Sequence, residues 1–185
     1  MTITPVYSAH LSGTPLGGLR LWATDQGLRR LDLHSGSDLA HTGETLSEGS
    51  RPAHLTDTLT ALTEYFAGNR TSFETPLDLH GVTDFQRRVY EKLLEIPYGK
   101  VVTYADVAED IGEGRGAARA VGQAVGANPV AIVIPCHRVV ASDATLHGYS
   151  GGLGRKATLL SLEGIQVDGV KASSKVHPEV LQLPL

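Results

Sequence analysis

Residues 101–127, VVTYADVAEDIGEGRGAARAVGQAVGA, contain the pattern that decides the fold of the second half of the chain. Thr103 and Asp106 have the spacing of a capping box, which predicts that a short helix begins there. The glycine-rich turn EGRG at 113–116 separates this helix from a second one, predicted over 117–127. Two short helices joined by a tight turn predict a helix-turn-helix.

The second of these helices has two unlike faces. Alanine and valine form one face, whereas the other carries Arg119, Gly122, Gln123 and Gly126. An interior glycine destabilises a helix by roughly 1 kcal/mol relative to alanine, so both glycines require a reason. One reason is a flat surface that a ligand approaches closely, with Arg119 projecting from it. The other is close packing against a neighbouring helix, and the sequence does not decide between them.

Outward from this stretch, the pattern predicts a helix and, before it, a small α/β region. Thr83 and Gln86 form another capping box, and the helix that follows ends at the PYG of residues 97–99. Residues 19–33 alternate about a turn at 25–27, which predicts a β-hairpin. A helix follows from Pro52 to near residue 68, after a loop at 34–51 that has room for one further strand.

These elements predict an α/β protein of two domains. Residues 1–80 form a small N-terminal α/β domain of sheet plus helix. Residues 81–165 form a mostly helical domain with the helix-turn-helix and a short active-site strand and loop. Residues 166–185 are a C-terminal tail, for which both a mobile and a docked state remain open. No run of about 18 apolar residues exists to span a membrane, and the start lacks a secretory signal pattern, so an intracellular location is expected.

Charge is distributed unevenly along the 185-residue chain. The formal net charge is −4, but residues 115–160 contain five Lys and Arg against one Asp, which gives +4. Cys136, the only cysteine, lies in this window. A local positive patch favours contacts with phosphates at a defined place, although a solvated charged surface explains the same count.

The chemistry is predicted at Pro135-Cys-His-Arg-Val139, which follows an apolar run, 130–134, interpreted as a buried strand. A lone cysteine beside such a run is usually inert, but an adjacent histidine can take the proton of a thiol. Adjacent residues of an extended chain point to opposite sides, so the pair predicts a relay through water. Glu163 is a candidate to orient the imidazole. The glycine-rich loop 147–152 has no phosphate-loop lysine and could wall a pocket for a flat ligand.

Five motifs follow one another in order: ARAVG at 118–122, NP at 128–129, IPCHRV at 134–139, GYSGG at 148–152 and LEG at 162–164. Together they resemble the O6-alkylguanine-DNA alkyltransferases over about residues 82–164, and PCHRV is highly specific in that setting. The resemblance implies an RNase H-like N-terminal domain. It also implies irreversible, stoichiometric transfer of an alkyl group from O6 of guanine in double-stranded DNA, after the base is flipped from the minor groove.

The resemblance also implies roles for individual residues. Cys136 accepts the alkyl group, His137 is the base acting through water, and Glu163 orients His137. Tyr104 helps to rotate the nucleotide and protonates the leaving guanine, while Arg119 fills the vacated place in the stack. Further DNA contacts are implied for Thr103, Gly122 and Gln123. A pocket for the base is implied for Asn128, Pro129, Val139, Tyr149 and Ser150.

Neither a cofactor nor a metal is expected, because a thiolate can displace the purine directly and the first domain lacks the cysteines that bind zinc in some relatives. We expect a monomer with no membrane partner, located in the cytoplasm, or in the nucleus if the organism is eukaryotic. Two alternatives remain: a non-catalytic protein that binds DNA lesions, and an unrelated thiol enzyme such as a cysteine peptidase. The peptidase would have no need for Arg119 on a glycine surface.

Overall fold

The computed structural model describes residues 6–34 and 51–177. The possible strand within 34–51 and the last residues of the tail, 178–185, lie outside the described residues. The chain divides into two compact units. The first is Met1–Val82 with Pro129–Val133, and the second is Thr83–Asn128 with Ile134–Leu185. The chain therefore leaves the second unit once, just before the active-site motif, and returns to it at Ile134.

The first unit contains an antiparallel sheet of three strands in the order β1 (Tyr7–Thr14), β2 (Gly17–Thr24) and β3 (Gly27–His34). The predicted hairpin is the pair β2–β3, in which Leu21 lies opposite Leu31. The alternating apolar residues of β2 are buried, and α1 (Ala53–Phe66) packs on the sheet. Strand β1 was not predicted, because its sequence YSAHLSGT has too few apolar residues for a clear alternation.

The predicted strand at 130–134 is wrong. Val130 forms a single parallel bridge with Leu31, whose N–H donates to the Pro129 carbonyl at 2.9 Å, and then the chain turns. Ile132 has φ +75°, a left-handed conformation that a strand cannot contain. Prolines 129 and 135 flank the run and have no N–H to donate to a ladder. The run is nevertheless buried, as its apolar composition predicted.

The second unit is built from helices. These are α2 (Asp84–Leu94), α3 (Tyr104–Asp110), α4 (Ala118–Gly126) and α5 (Leu153–Leu162). Both predicted capping boxes are present, at Thr83 and at Thr103. Helices α3 and α4 pack together through a 3₁₀ turn at Arg115–Ala117, which Gly114 enters with φ +72°. This is the predicted helix-turn-helix, and the predicted fold class is confirmed.

Two short strand pairs lie in the second unit. Strand β4 (Val102–Thr103) pairs in parallel with β5 (Val139–Val140), and β6 (Gln166–Val167) pairs with β7 (Val176–His177). A core cluster contains Val140, Leu146, Leu160, Ile165 and Val176. The segment after residue 165 is thus docked as far as His177. Among the described helices, none is long and apolar enough to cross a bilayer.

Candidate active site and DNA-binding surface

Cys136 lies in the second unit at the start of a 3₁₀ turn, Cys136–Arg138, and its side chain is buried. Its Sγ is 3.9 Å from the Tyr149 hydroxyl, and the Asn128 side chain also hydrogen-bonds to the thiol. The Asn128 amide donates to the Ile134 carbonyl at 2.9 Å, which ties the end of α4 to the chain leading into Cys136. Two polar side chains therefore hold the sulfur in place.

The resting thiol is protonated. Burial raises the pKa of Cys136, because a thiolate loses the stabilisation it has in water. Hydrogen bonds from Asn128 and Tyr149 and the charge of Lys156 act in the opposite direction but do not outweigh burial. Since the thiolate is the nucleophile, the site requires a base to remove the proton.

His137 and Glu163, the residue predicted to orient it, form a buried pair with 2.8 Å between Nε2 and Oε1. Burial lowers the pKa of His137 despite the bond to Glu163, so the imidazole is neutral at pH 7. An ionised Glu163 only accepts hydrogen bonds, so Nε2 carries the imidazole proton. Nδ1 is then the basic nitrogen, and no other group among the described residues hydrogen-bonds to it.

Glu163 is held by more donors than the sequence suggested. Arg138 donates to both carboxylate oxygens, at 2.9 Å from Nη2 to Oε1 and 2.9 Å from Nε to Oε2. The Gly99 N–H donates to Oε2 at 3.1 Å. Burial disfavours the carboxylate, but the hydrogen bonds from His137 and Arg138 outweigh it and lower the pKa of Glu163 to about 2. The acceptor that orients His137 therefore stays ionised throughout the physiological range.

Arg138 is a site residue that the sequence analysis did not single out. It is buried, and its Nη1 also donates to the Ile96 carbonyl at 2.6 Å. The available signal was an arginine inside the apolar run around PCHRV, because a buried guanidinium needs a carboxylate partner. Fixing Glu163 also connects the start of the second unit to the active-site turn.

Lys156 is a second buried cation. Its Nζ donates to the Val139 carbonyl at 2.6 Å and to the Leu146 carbonyl at 2.7 Å. Burial lowers its pKa to about 8, and the nearby Cys136 partly offsets this. The sequence signal was its place on α5, three residues after Leu153 and four before Leu160, which puts it on the apolar face of the helix.

The net positive charge that residues 115–160 present at the surface is smaller than the formal +4 counted from the sequence. Arg138 and Lys156 are buried, and Arg115 pairs with Asp106 and Glu109 at 2.9 and 2.8 Å. The counting window excluded these carboxylates because they precede residue 115 in the chain. Arg119, in contrast, is exposed and forms no ion pair with a described residue.

A cavity of about 650 Å³ opens in the second unit between the helix-turn-helix and the glycine-rich loop. This volume is within the range of small-molecule sites. Its lining includes Tyr104, Arg119, Gly122, Gln123, Tyr149 and Ser150, all of them predicted site residues. Because Tyr149 both lines the cavity and lies against Sγ, the sulfur is one side chain away from the cavity.

Apart from Cys136, His137 and Glu163, four predicted site residues do not line the cavity. Asn128 contacts the thiol, and Val139 accepts the bond from Lys156. Pro129 belongs to the first unit, where its carbonyl accepts from Leu31. The Thr103 hydroxyl donates to Asp106 at 2.7 Å and accepts from the Asp106 N–H, so it is already used to cap α3.

The glycines of α4 do not serve close helix packing. A Cβ on Gly122 would lie 3.8 Å from the Tyr104 ring, an ordinary contact distance, and a Cβ on Gly126 would have no described atom within 4 Å. Both residues line the cavity. Of the two explanations left open by the sequence, the structure therefore favours the flat surface.

Tyr104 is one of the residues that line the cavity. Burial, followed by the nearby Cys136, raises its pKa to about 12, so its hydroxyl stays protonated and can donate. Its ring meets the His147 ring edge to face, with centroids 5.9 Å apart. His147 belongs to the glycine-rich loop 147–152 and is not among the predicted site residues.

Comparison with known proteins agrees with this site. Residues 8–79 match the ribonuclease-like domain of 6-O-methylguanine DNA methyltransferase, and residues 84–165 match its DNA binding domain. A methylated-DNA–protein-cysteine methyltransferase from Mycolicibacterium paratuberculosis is 46% identical over 151 residues, which cover 81% of this chain and 88% of the relative. The chain belongs to the 6-O-methylguanine DNA methyltransferase family.

Other members of the 6-O-methylguanine DNA methyltransferase family are similar as well. The methylated-DNA–protein-cysteine methyltransferase of Mycobacterium bovis is 51% identical over 112 residues, 60% of this chain and 67% of that protein. A crystal structure of Mycobacterium tuberculosis OGT in complex with DNA has a TM-score of 0.73 at 41% identity, covering 85% of this chain and 92% of that one. The resemblance inferred from the five motifs is confirmed.

Proposed function

We propose that this protein repairs alkylated DNA by direct reversal, transferring an alkyl group from O6 of guanine in a duplex to Sγ of Cys136. The observation that carries the proposal is the buried thiol beside a neutral His137, whose Nε2 is held by Glu163, at the edge of a cavity that Arg119 and Tyr104 line. A thiolate and a purine leaving group are sufficient for this reaction, so the proposal includes no metal or cofactor.

The first step is removal of the thiol proton. Nδ1 of His137 is the nitrogen that remains basic, and we propose that one water carries the proton from Sγ to it. The thiolate then attacks the alkyl carbon, an S–C bond forms, and the C–O6 bond breaks with its electron pair leaving on guanine. Tyr104, whose pKa of about 12 keeps it protonated, donates a proton to the departing base. The thioether is not cleaved again, so each molecule reacts once.

The base must first leave the helix stack. Unstacking costs a few kcal/mol, and less for a base that is already damaged. We propose that α4 enters the minor groove, where Gly122 and Gly126 allow close approach and Arg119 takes the vacated place. Gln123 lies beside them on the cavity side, and Tyr149 and Ser150 form the opposite wall for the flipped base. Thr103 contributes by capping α3, for which both its hydroxyl and its backbone N–H bond to Asp106, and its contact with DNA stays a prediction.

Three predicted residues take positioning roles in this proposal. Asn128 holds the thiol, backbone groups of Val139 contact the flipped base, and Pro129 shapes the turn after α4. Repair as a monomer and location in the cytoplasm stay predictions from the sequence.

The test is incubation of the full chain with a duplex containing one O6-methylguanine, followed by mass spectrometry of the peptide that contains Cys136. A gain of one methyl group per molecule is expected, with none from an unmodified duplex and none in Cys136→Ser. If the damaged duplex binds selectively but the peptide never gains a methyl, the protein is a lesion-binding protein and the proposal is wrong.

A further inference from the structure

The cavity has one wall whose backbone conformation is costly. We call residues 141–150 the cavity wall, because Ala141, Ser142, His147, Gly148, Tyr149 and Ser150 all line the cavity. Two residues of this wall other than glycine are left-handed, Ala144 with φ +58° and His147 with φ +57°. A residue with a side chain adopts this conformation uncommonly, and the strain persists only where the surrounding structure holds it.

The surroundings that hold them belong to the C-terminal hairpin, residues 166–177. The His147 N–H donates to the Ala172 carbonyl and the Leu146 N–H to the Ser174 carbonyl, both at 3.0 Å. In return, the Val176 N–H donates to the Ala144 carbonyl at 2.8 Å. Both left-handed residues are therefore bonded through the backbone to the hairpin.

Side chains reinforce this pairing. Lys175 Nζ donates to the Asp143 carbonyl at 2.6 Å, and Val176 is buried in the core cluster beside Leu146. The hairpin itself is closed by the pair β6–β7 and by His177 and Asp168, 2.9 Å apart. It begins after residue 165, the last residue matched by the family's DNA binding domain.

The consequence of this support is the position of His147. Its backbone is fixed by Ala172, and its ring meets Tyr104 edge to face in the cavity lining. Two residues later in the same wall, Tyr149 contacts Sγ of Cys136. Movement of the wall would therefore change the space for a base without altering the pair of His137 and Glu163.

We propose that the C-terminal hairpin is a positioning element for base binding, because it holds the cavity wall in the left-handed conformation that places His147 against Tyr104. This inference rests on the proposed alkyl transfer. It assigns the hairpin no part in removing the thiol proton, because the wall contacts Sγ through Tyr149 but does not include His137 or Glu163. Disrupting the hairpin therefore weakens substrate capture much more than it changes the reactivity of Cys136.

The test compares two variants at one position. Val176→Pro removes the N–H that bonds Ala144 while keeping an apolar side chain, and Val176→Ala keeps the N–H while losing packing. Single-turnover transfer is measured against the concentration of the O6-methylguanine duplex, with alkylation of Cys136 by iodoacetamide as the measure of thiol reactivity. For Val176→Pro, we expect about a tenfold rise in the half-saturating duplex concentration and less than about a twofold change with iodoacetamide. Val176→Ala is expected to lower the melting temperature with a change in half-saturation below about threefold.

A rescue experiment separates positioning from general destabilisation. Ala144 does not line the cavity, and glycine adopts its left-handed φ without strain. The half-saturating duplex concentration rises in Val176→Pro. Adding Ala144→Gly is therefore expected to reverse at least about half of that rise on a logarithmic scale. If Val176→Pro does not fold, Lys175→Met weakens the same pairing from an exposed position, and about a threefold rise is expected.

The outcomes are distinct. Equal half-saturating duplex concentrations in Val176→Pro, Lys175→Met and the wild type would overturn the role of the hairpin. The same conclusion would follow if this concentration rose equally in Val176→Pro and Val176→Ala and Ala144→Gly gave no rescue. A parallel fall in iodoacetamide reactivity would also overturn it, because the hairpin would then act on the thiol. If the wild type itself transfers no methyl, the proposed function fails rather than this inference alone.

Discussion

The surroundings of Glu163 and the cavity face of α4 use charge in opposite ways. Around Glu163, an arginine, a histidine and a backbone N–H converge on one buried carboxylate. On α4, Arg119 is exposed, lies beside glycines and forms no ion pair with any residue in the described ranges. Burial forces charged groups to be matched within the protein, whereas a charge left unmatched at a cavity is available to a ligand. Arg138 therefore neutralises a buried carboxylate, whereas the charge of Arg119 is available to a ligand.

Removing the buried arginine is expected to have the largest effect. Arg138→Met leaves Glu163 buried without its main cation, so the free energy of unfolding should fall by about 3–5 kcal/mol. Urea denaturation at pH 7 measures this loss. Arg119→Met is the matched control and should remain within about 0.5 kcal/mol of the wild type, because the side chain is exposed. Similar losses in both variants would contradict the contrast between the two regions.

Lowering the pH should reduce the free energy of unfolding through the buried carboxylate of Glu163. The pKa of Glu163 is lowered from 4.5 to about 2, so the unfolded chain takes up a proton before the folded one as the pH falls. The stability is thus present above pH 4.5 and is lost toward pH 2, at about 1.4 kcal/mol per pH unit. We expect a loss of about 2 kcal/mol between pH 4.5 and pH 3, measured by urea denaturation across that range.

Two variants assign this acid dependence. Glu163→Gln should flatten the slope between pH 4.5 and pH 3, whatever its effect on stability at pH 7. The lowered pKa of His137 adds an earlier decline that begins below pH 6.5, and His137→Gln, whose side-chain amide can still donate to Glu163, should remove that part. An unchanged slope in Glu163→Gln would place the titrating group elsewhere in the chain.

The exposed arginine should matter for DNA rather than for folding. In Arg119→Met, the cost of base extraction is no longer offset, so single-turnover transfer from the O6-methylguanine duplex should fall about 10–30-fold. Transfer from O6-methylguanine supplied as the free base should change less than about twofold, since no base has to be flipped. Arg115→Met is the control, because Arg115 is also exposed but already paired with Asp106 and Glu109, and transfer in this variant should fall less than about threefold. Equal losses in both variants would point to general electrostatic attraction instead.

The sequence predicted the cavity face of α4 better than the surroundings of Glu163. The face of α4 follows from helical periodicity, because residues three and four apart share a side of the helix. The Cys136–His137 adjacency likewise predicted that the two side chains need an intermediary. Both are local relationships, which a single sequence records directly.

The buried cluster depends on contacts that are distant in the chain. Arg138 and Glu163 are 25 residues apart, so counting charges within 115–160 assigned both Arg138 and Lys156 to a surface patch. The left-handed φ of Ile132, which ends the predicted strand, belongs to a residue type that rarely adopts it. The docking of the C-terminal hairpin on the cavity wall is also long-range, since Ala172 and His147 are paired through backbone atoms that any residue carries. Side-chain patterns contain little information about such pairings.

The smallest expected effect tests whether the flat surface of α4 exists for DNA. In Gly122→Ala, the new methyl meets the Tyr104 ring at an ordinary contact distance, 3.8 Å, so the helix should gain up to about 1 kcal/mol in the free energy of unfolding. The same methyl stands on the surface that the duplex is proposed to approach, so transfer from the duplex should fall by about threefold to tenfold while free-base transfer is kept. Gly116→Ala, outside the cavity lining and with no described atom within 4 Å of its new Cβ, should leave both rates unchanged. A Gly122→Ala variant that is more stable and equally fast on duplex DNA would mean that the glycine is not needed for close approach, and Arg119 alone would then distinguish this face from an ordinary helix surface.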